Sequence, residues 1–321
     1  MSDLAQLIIA AVRWDAERGF AAATPEVERA LALGVGGFLL LGGERDAVAA
    51  FTAQLRAATH HPLLVAADLE RGAGQVIAGC TRHPPAATLA SLGDPLAIGA
   101  VARQAAREAL ALGVNWALAP VADLDLHPAN PVTGARSLGS DPEEVAAGVT
   151  EWIDAIQGEG MLACAKHFPG HGRTTEDSHT ALPVVTATRQ QMQVDLAPFI
   201  AAIDTGVATI MTAHVAYPAL DPSGAPATVS RAIVHTILRE ELGYEGLIVT
   251  DALVMFGAKD PRGEGNFSGR AVAAGCDLLL HPSDPAAALH GLEVVAGRTV
   301  SRAQLDASLA RRDHWARWGS R

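Results

Sequence analysis

Short apolar runs alternate with amphipathic, Ala- and Leu-rich segments along the whole chain, and that alternation restricts the fold more than any single motif does. The apolar runs fall at Ile8–Trp14, Gly37–Leu41, Pro62–Ala67, Val114–Pro120, Ala163–Lys166, Ala208–Ala213, Gly246–Thr250 and Cys276–His281. Helical spacing covers Pro25–Leu33, Asp46–Ala58, Ile98–Leu112, Pro142–Gln157, Arg189–Asp204, Arg231–Leu242, Gly269–Ala274 and Pro285–Val295, with a terminal helix over Ser301–Trp318. Start signals precede several of these helices: Thr24-Pro25, Asp141-Pro142, Thr188, Ser230 and Asp284-Pro285. Stop signals follow at Gly34, Gly113, Gly206, Gly243 and Gly297. Continuous apolar strands separated by helices mean a parallel sheet covered on both faces. Eight such units in series predict a single-domain (β/α)8 TIM barrel spanning residues 1–321, with no linker and no room for a second domain. A doubly wound open sheet would place G-x-G-x-x-G after its first strand, where this chain has Asp15-Ala-Glu-Arg-Gly19. With 49% hydrophobic but only 4% aromatic residues, the packing units must be small aliphatic side chains, which suits short strands under close-packed helices.

The formal net charge is −11 and no Lys/Arg-rich run offsets it, which argues against a nucleic-acid or anionic-membrane surface. No apolar run reaches membrane-spanning length and the Met1–Leu7 segment lacks a signal-peptide pattern, so a cytoplasmic monomer is expected. Cys80, Cys164 and Cys276 are widely spaced and odd in number, which indicates neither a disulfide framework nor a zinc site.

Chemistry in a barrel of this kind belongs at the carboxyl ends of the strands. There the chain delivers Asp68 and Glu70 after strand three, Asp123 and Asp125 after strand four, Lys166 and His167 after strand five, His214 after strand six and Asp251 after strand seven. The densest cluster lies in Ala163–Pro183, where His167, His171, His179, Lys166, Glu176 and Asp177 share a segment interrupted by Pro169, Gly170 and Gly172. A long polar loop of this composition inside a compact domain is usually functional. A metal-dependent hydrolase typically carries an early His-x-His, whereas strand one offers Arg13 and Asp15, so no metal or organic cofactor is expected. Glycoside hydrolysis fits better, since it needs a fixed carboxylate and a proton donor on either side of a sugar bond. A non-catalytic sugar-binding barrel remains the alternative from another class.

Lys166-His-Phe-Pro-Gly-His-Gly172, followed by Asp177-Ser-His179 and by Asp251 after Leu-Ile-Val-Thr250, resembles the family 3 glycoside hydrolases, in particular their β-N-acetylglucosaminidase branch. Asn115–Asp123 and Asn130–Pro142 look like that family's fourth strand and the loop after it. The resemblance implies a retaining enzyme that removes terminal β-linked N-acetylglucosamine from a small carbohydrate, with a peptidoglycan fragment as the source by analogy. It implies Asp251 as nucleophile and His179 as acid and base, with Asp177 orienting the imidazole. In an extended segment residues two apart share a side, which would bring Asp177 to the ring of His179. Asp68, Arg136, Lys166 and His167 match positions that hold the sugar, although Lys166 would alternatively pair with a buried carboxylate such as Asp123 and Arg136 would alternatively brace its loop. His171, Asp123 and His214 would keep the loop and rim in shape.

Three positions depart from the family pattern. Arg173 stands where Asp is common, Ala252 where a second Asp often follows the nucleophile, and Asp68–Gln75 lacks the arginine that often helps bind substrate there. Arg71 or Arg173 are candidates to compensate. The departures leave a β-glucosidase or other exo-glycosidase open as alternatives, along with a phosphorylase that uses phosphate in place of water.

Overall fold

The computed structural model describes residues 3–178, 180–255 and 260–320. It is an α/β structure in which the expected alternation is realised nearly run for run. The strands are β1 (Ile8–Arg13), β2 (Gly37–Leu41), β3 (Gly43–Glu44), β4 (Leu64–Ala67), β5 (Ile77–Ala78), β6 (Trp116–Ala117), β7 (Cys164–Phe168), β8 (Thr209–Thr212), β9 (Leu247–Thr250) and β10 (Leu279–Leu280). The α-helices are α1 (Thr24–Leu33), α2 (Arg45–Ala57), α3 (Ala86–Ala90), α4 (Pro95–Leu110), α5 (Pro142–Gly158), α6 (Arg189–Asp204), α7 (Glu264–Ala274), α8 (Pro285–Val295) and α9 (Arg302–Trp318). The segment expected as a helix over Arg231–Leu242 is a π-helix at Ala232–Glu241.

Local signals account for most of these boundaries. The Asp141 carboxylate accepts the amides of Glu143 and Glu144 at the start of α5, and Thr188 and Gln191 close a reciprocal capping box on α6. Ser230 Oγ accepts the amide of Ile233 at the start of the π-helix. The first turns of α7 escaped notice because Gly263, Gly265 and Asn266 read as loop. Gly265 is a contact residue: a Cβ on Gly291 of α8 would lie 1.9 Å from the carbonyl oxygen of Gly265, so the two helices touch through their backbones.

The strands do not form the closed eight-stranded barrel that the repeat predicts. Hydrogen-bonded ladders give a five-stranded parallel sheet in the order β10-β1-β2-β4-β6, shaped as half a barrel, a three-stranded parallel sheet β7-β8-β9, and a two-stranded parallel pair β3-β5. At the junctions the two large sheets are joined by isolated parallel bridges instead of a continuous ladder, Trp116–Leu162 and Val121–Lys166 on one side and Val249–Leu278 on the other, with backbone hydrogen bonds such as Cys164 N to the Ala119 carbonyl and Thr250 N to the Leu278 carbonyl across them. The physical reasons lie in the two strands that came out shortest. Val114–Pro120 contributes a ladder over Trp116–Ala117 alone: Asn115 turns its side-chain amide onto the backbone of Leu63 and Val65, and Pro120 has no amide hydrogen to give. Cys276–His281 contributes only Leu279–Leu280, because the Asp277 carboxylate takes the Ile248 amide and His281 turns away at φ 48°.

One continuous apolar core runs from Leu4 to Ala316 between the sheets and the helices. Cys164 and Cys276 are buried within it and Cys80 is half-buried, all as free thiols. Among the described residues no helix is long and apolar enough to cross a membrane.

Candidate active site

The carboxyl ends of β1, β4, β7, β9 and β10 and the loops that follow them surround a pocket of about 290 Å³. Its lining includes Asp68, Arg136, Lys166, His167, Ser178, Asp251, Arg13 and His281. Five of the seven residues proposed from sequence therefore meet on one cavity. Of the other two, His179 lies outside the described residues. Asp177 is not part of the lining; its carbonyl oxygen accepts the amides of Thr180 and Ala181.

Lys166 is the most enclosed charge that lines the pocket. Its side chain is 2% exposed and its Nζ lies 2.7 Å from Asp68 Oδ1 and 2.9 Å from Glu70 Oε1. Burial alone would strip its proton, but the two carboxylates outweigh burial and hold its pKa well above that of an ordinary lysine. Glu70 is equally enclosed, accepts Arg136 Nη2 at 2.8 Å and Gln75 Nε2 at 2.7 Å, and is held far below the usual carboxylate range by Lys166 and Arg136 despite its burial. Asp68 differs: its side chain is 36% exposed and faces the cavity. The alternative partner considered for Lys166, Asp123, is thus replaced by Asp68 and Glu70. Arg136 braces its loop through Glu70 and also lines the pocket.

Asp123 is fully buried and organises the histidine segment. Its Oδ2 lies 2.7 Å from His167 Nδ1, and its Oδ1 accepts the backbone amides of His167 at 3.1 Å and His171 at 2.7 Å. Burial works against its charge, but the imidazole of His167, with that of His171, more than compensates, and its pKa is lowered. The Nδ1 bond fixes the His167 ring and turns Nε2 away from Asp123. His171 is buried between Thr174 Oγ1 at 2.8 Å and Ser178 Oγ at 3.2 Å, and burial, aided by His167, lowers its pKa to about 4. It is a neutral structural imidazole.

Further contacts pin the same segment from outside. Asn130 Nδ2 donates to the His171 carbonyl, Tyr217 OH donates to the Gly170 carbonyl, and Gly172 packs so closely on Leu124 that a Cβ would fall 1.7 Å from its carbonyl oxygen. Arg173 donates from Nε to both oxygens of the buried Asp195 on α6, at 2.9 and 3.1 Å. It therefore anchors the loop and does not line the pocket; Arg71, bonded to the His83 carbonyl, does not line it either. Neither supplies the arginine missing from Asp68–Gln75.

Asp251 follows β9, lines the pocket half-buried and accepts the Ala252 amide at 2.7 Å. Burial raises the cost of its charge, but the imidazoles of His167 and His214 and the Ala252 amide lower its pKa, which keeps it anionic. An ionised carboxylate at the pocket wall is chemically equipped to attack an electrophilic carbon or to stabilise a developing cation. His214 lies under it, with Nδ1 2.8 Å from Thr228 Oγ1 and Nε2 3.2 Å from the Ala252 carbonyl; it shapes the turn that presents Asp251. Sequence reasoning passed over Ser178, Arg13 and His281 as pocket residues; Glu70, expected at the end of strand three, sits behind the lining as the enclosed partner of Lys166 and Arg136. Among the described residues no group of three His, Cys, Asp or Glu side chains is arranged to hold a metal ion.

A parallel α/β scaffold that gathers carboxylates, a lysine, an arginine and imidazoles at its strand ends belongs to the large class of α/β proteins with a polar small-molecule site on that face. Residues 3–312 match the family model described as the glycosyl hydrolase family 3 N terminal domain, and the chain belongs to that family. It is 36% identical over 258 residues to a β-N-acetylglucosaminidase/β-glucosidase of Cellulomonas fimi, covering 77% of this chain and 46% of that protein. It is 37% identical over 262 residues to a β-hexosaminidase of Nitrosomonas eutropha, covering 78% of this chain and 74% of that one. The solved structure of a family 3 β-N-acetylglucosaminidase from Paenibacillus sp. superposes with a TM-score of 0.88 at 34% identity, over 99% of this chain and 62% of that one. The chain thus spans less than two thirds of the Cellulomonas and Paenibacillus proteins.

Proposed function

We propose that the protein is a retaining exo-β-N-acetylglucosaminidase whose residues 1–321 act as one catalytic unit. The observation that carries this is the pairing of an ionised pocket carboxylate, Asp251, with the hydrogen-bonding array of Asp68, Lys166, Arg136 and His167 in one small cavity. The names of the Cellulomonas, Nitrosomonas and Paenibacillus relatives favour N-acetylglucosamine as the sugar. Asp251 attacks the anomeric carbon and a covalent glycosyl-enzyme forms with departure of the leaving oxygen. Water then attacks the same carbon from the opposite side and restores the β configuration. His179 protonates the leaving oxygen in the first step and takes a proton from water in the second, with Asp177 as its orienting carboxylate. Asp68 and His167 Nε2 accept from sugar hydroxyls, while Lys166 and Arg136 donate to sugar oxygens; several directional bonds of this kind are what discriminate one sugar from another. A peptidoglycan fragment is the proposed natural source.

The test is hydrolysis of paired aryl β-N-acetylglucosaminide and β-glucoside, with and without inorganic phosphate. Turnover of the N-acetylglucosaminide with release of the free sugar supports the proposal. Sugar 1-phosphate as the product would replace hydrolysis by phosphorolysis, preference for the glucoside would replace the sugar, and turnover of neither would leave a sugar-binding protein.

A further inference from the structure

Three side chains in the pocket lining carry a permanent positive charge, and they are not equivalent. Lys166 is neutralised by Asp68 and Glu70, and Arg136 by Glu70. Arg13, at the carboxyl end of β1, is exposed and makes no hydrogen bond or ion pair among the described residues. His281 follows the neighbouring strand β10, level with Ala10 of β1, and lines the same pocket; its amide donates to the Ile9 carbonyl at 2.8 Å and its φ is 48°. The His281 ring lies in the field of Arg13: burial, and then the Arg13 charge, lower its pKa. One stretch of the wall therefore holds a guanidinium that no carboxylate side chain among the described residues pairs. Asp68 and Asp251 line the same pocket and bond instead to Lys166 and to the Ala252 amide. An unpaired guanidinium facing a partly enclosed cavity is a fork-shaped donor array suited to carboxylate or phosphate oxygens.

We propose that Arg13, with His281 on the same pocket lining, forms an anion subsite that receives a carboxylate or phosphate group presented together with the sugar. This rests on the reading of the pocket as a sugar site and adds a charged element to what it recognises. His281 also lines a second cavity of about 840 Å³ between α1 and α8, walled by Val27, Ala30, Phe38 and Pro285. The anion arrives in one of two ways, as a substituent on the leaving group or as a free ion beside the sugar, and both present the same oxygens to the guanidinium.

The experiment separates these sources and also separates the subsite from the sugar site. Wild type and Arg13→Gln are titrated with two non-cleavable S-linked β-N-acetylglucosaminides, 4-carboxyphenyl and its carboxamide, and separately with inorganic phosphate followed by phosphorus NMR line broadening. Wild type is expected to bind the carboxylate about tenfold more tightly than the carboxamide, the size of one charge-assisted hydrogen bond, and Arg13→Gln to remove the preference. Arg13-dependent broadening of phosphate without that preference assigns the subsite to a free anion. Equal binding of the two glycosides in wild type, together with no Arg13-dependent phosphate broadening, overturns the subsite while leaving the sugar site intact. If neither glycoside binds, it is the sugar reading that fails; the subsite then stands on Arg13-dependent phosphate broadening and falls without it. Arg13→Lys, which keeps the charge and loses the fork, should retain part of the preference.

Discussion

Asp123 Oδ2 lies 2.7 Å from Nδ1 of His167, inside a pocket wall where neither group meets water freely. The same carboxylate holds the backbone amide of His171, so one side chain sets both the ring and the loop. Asp123→Asn keeps the shape but presents a neutral amide to the ring and weakens the backbone bonds. Activity on an aryl N-acetylglucosaminide should fall about a hundredfold, mainly in kcat, and unfolding stability by about 2 kcal/mol. Steady-state kinetics and urea titration measure the two effects separately.

Glu70 and Asp68 share Lys166 but should fail differently. Glu70→Gln removes the enclosed partner of both Lys166 and Arg136, leaving two cations short of a balancing charge; a loss of roughly 3–5 kcal/mol in urea unfolding is expected. Asp68→Asn alters the more exposed partner that faces the cavity. It should cost about 1 kcal/mol or less in stability and show its main effect on substrate binding, through KM and kcat/KM.

Asp251→Ala should reduce turnover by roughly three orders of magnitude or more while changing stability by only about 1 kcal/mol, because a half-buried rim carboxylate contributes little to packing. Mass spectrometry with a slow mechanism-based fluorosugar should detect a covalent adduct on wild type and none on the variant.

The lowered pKa of His171 makes a distinct pH signature. Its ring is neutral in the fold down to about pH 4 but protonates near 6.5 in the unfolded chain, so between those values the unfolded state binds more protons. The stability present above pH 6.5 is therefore lost progressively as pH falls from 6.5 to 4, with roughly 3 kcal/mol from His171 alone. His214 adds in the same direction. The lowered carboxylates Asp123, Asp251 and Glu70 weaken the fold only at lower pH. Urea midpoints between pH 7.5 and 4.5 should fall for wild type and fall less for His171→Gln.

The order of elements was legible because period, caps and glycine stops acted together, as at Asp141-Pro142 and Thr188, which begin their helices where the sequence places them. Closure was not legible. Whether a strand pairs along its whole length depends on neighbours remote in sequence, and Asn115 and Asp277 spend their side chains on neighbouring backbone in ways that no local pattern reveals. Asp68, Arg136, Lys166, His167 and Asp251 were legible because each directly follows a strand or lies in a marked loop. The anchoring of Arg173 by Asp195 was not, since the partner lies on a helix whose apolar pattern gives no hint of it. Arg13 and His281 read as ordinary strand ends until the fold brought both onto the lining of one pocket.

The junction between the five-stranded and three-stranded sheets falls where the pocket charges meet. Asp68, Glu70 and Asp123 come from the β4 and β6 side, while Lys166 and His167 come from β7, so the ion pair and the aspartate–imidazole bond act as rivets beside the backbone hydrogen bonds that join these segments. A sugar that draws on those same groups would be gripping the fastenings of the fold itself. Ligand occupancy should then register as slower amide exchange along β6 and β7, well beyond the cavity wall, and the two halves of the scaffold should loosen together when any one rivet is removed.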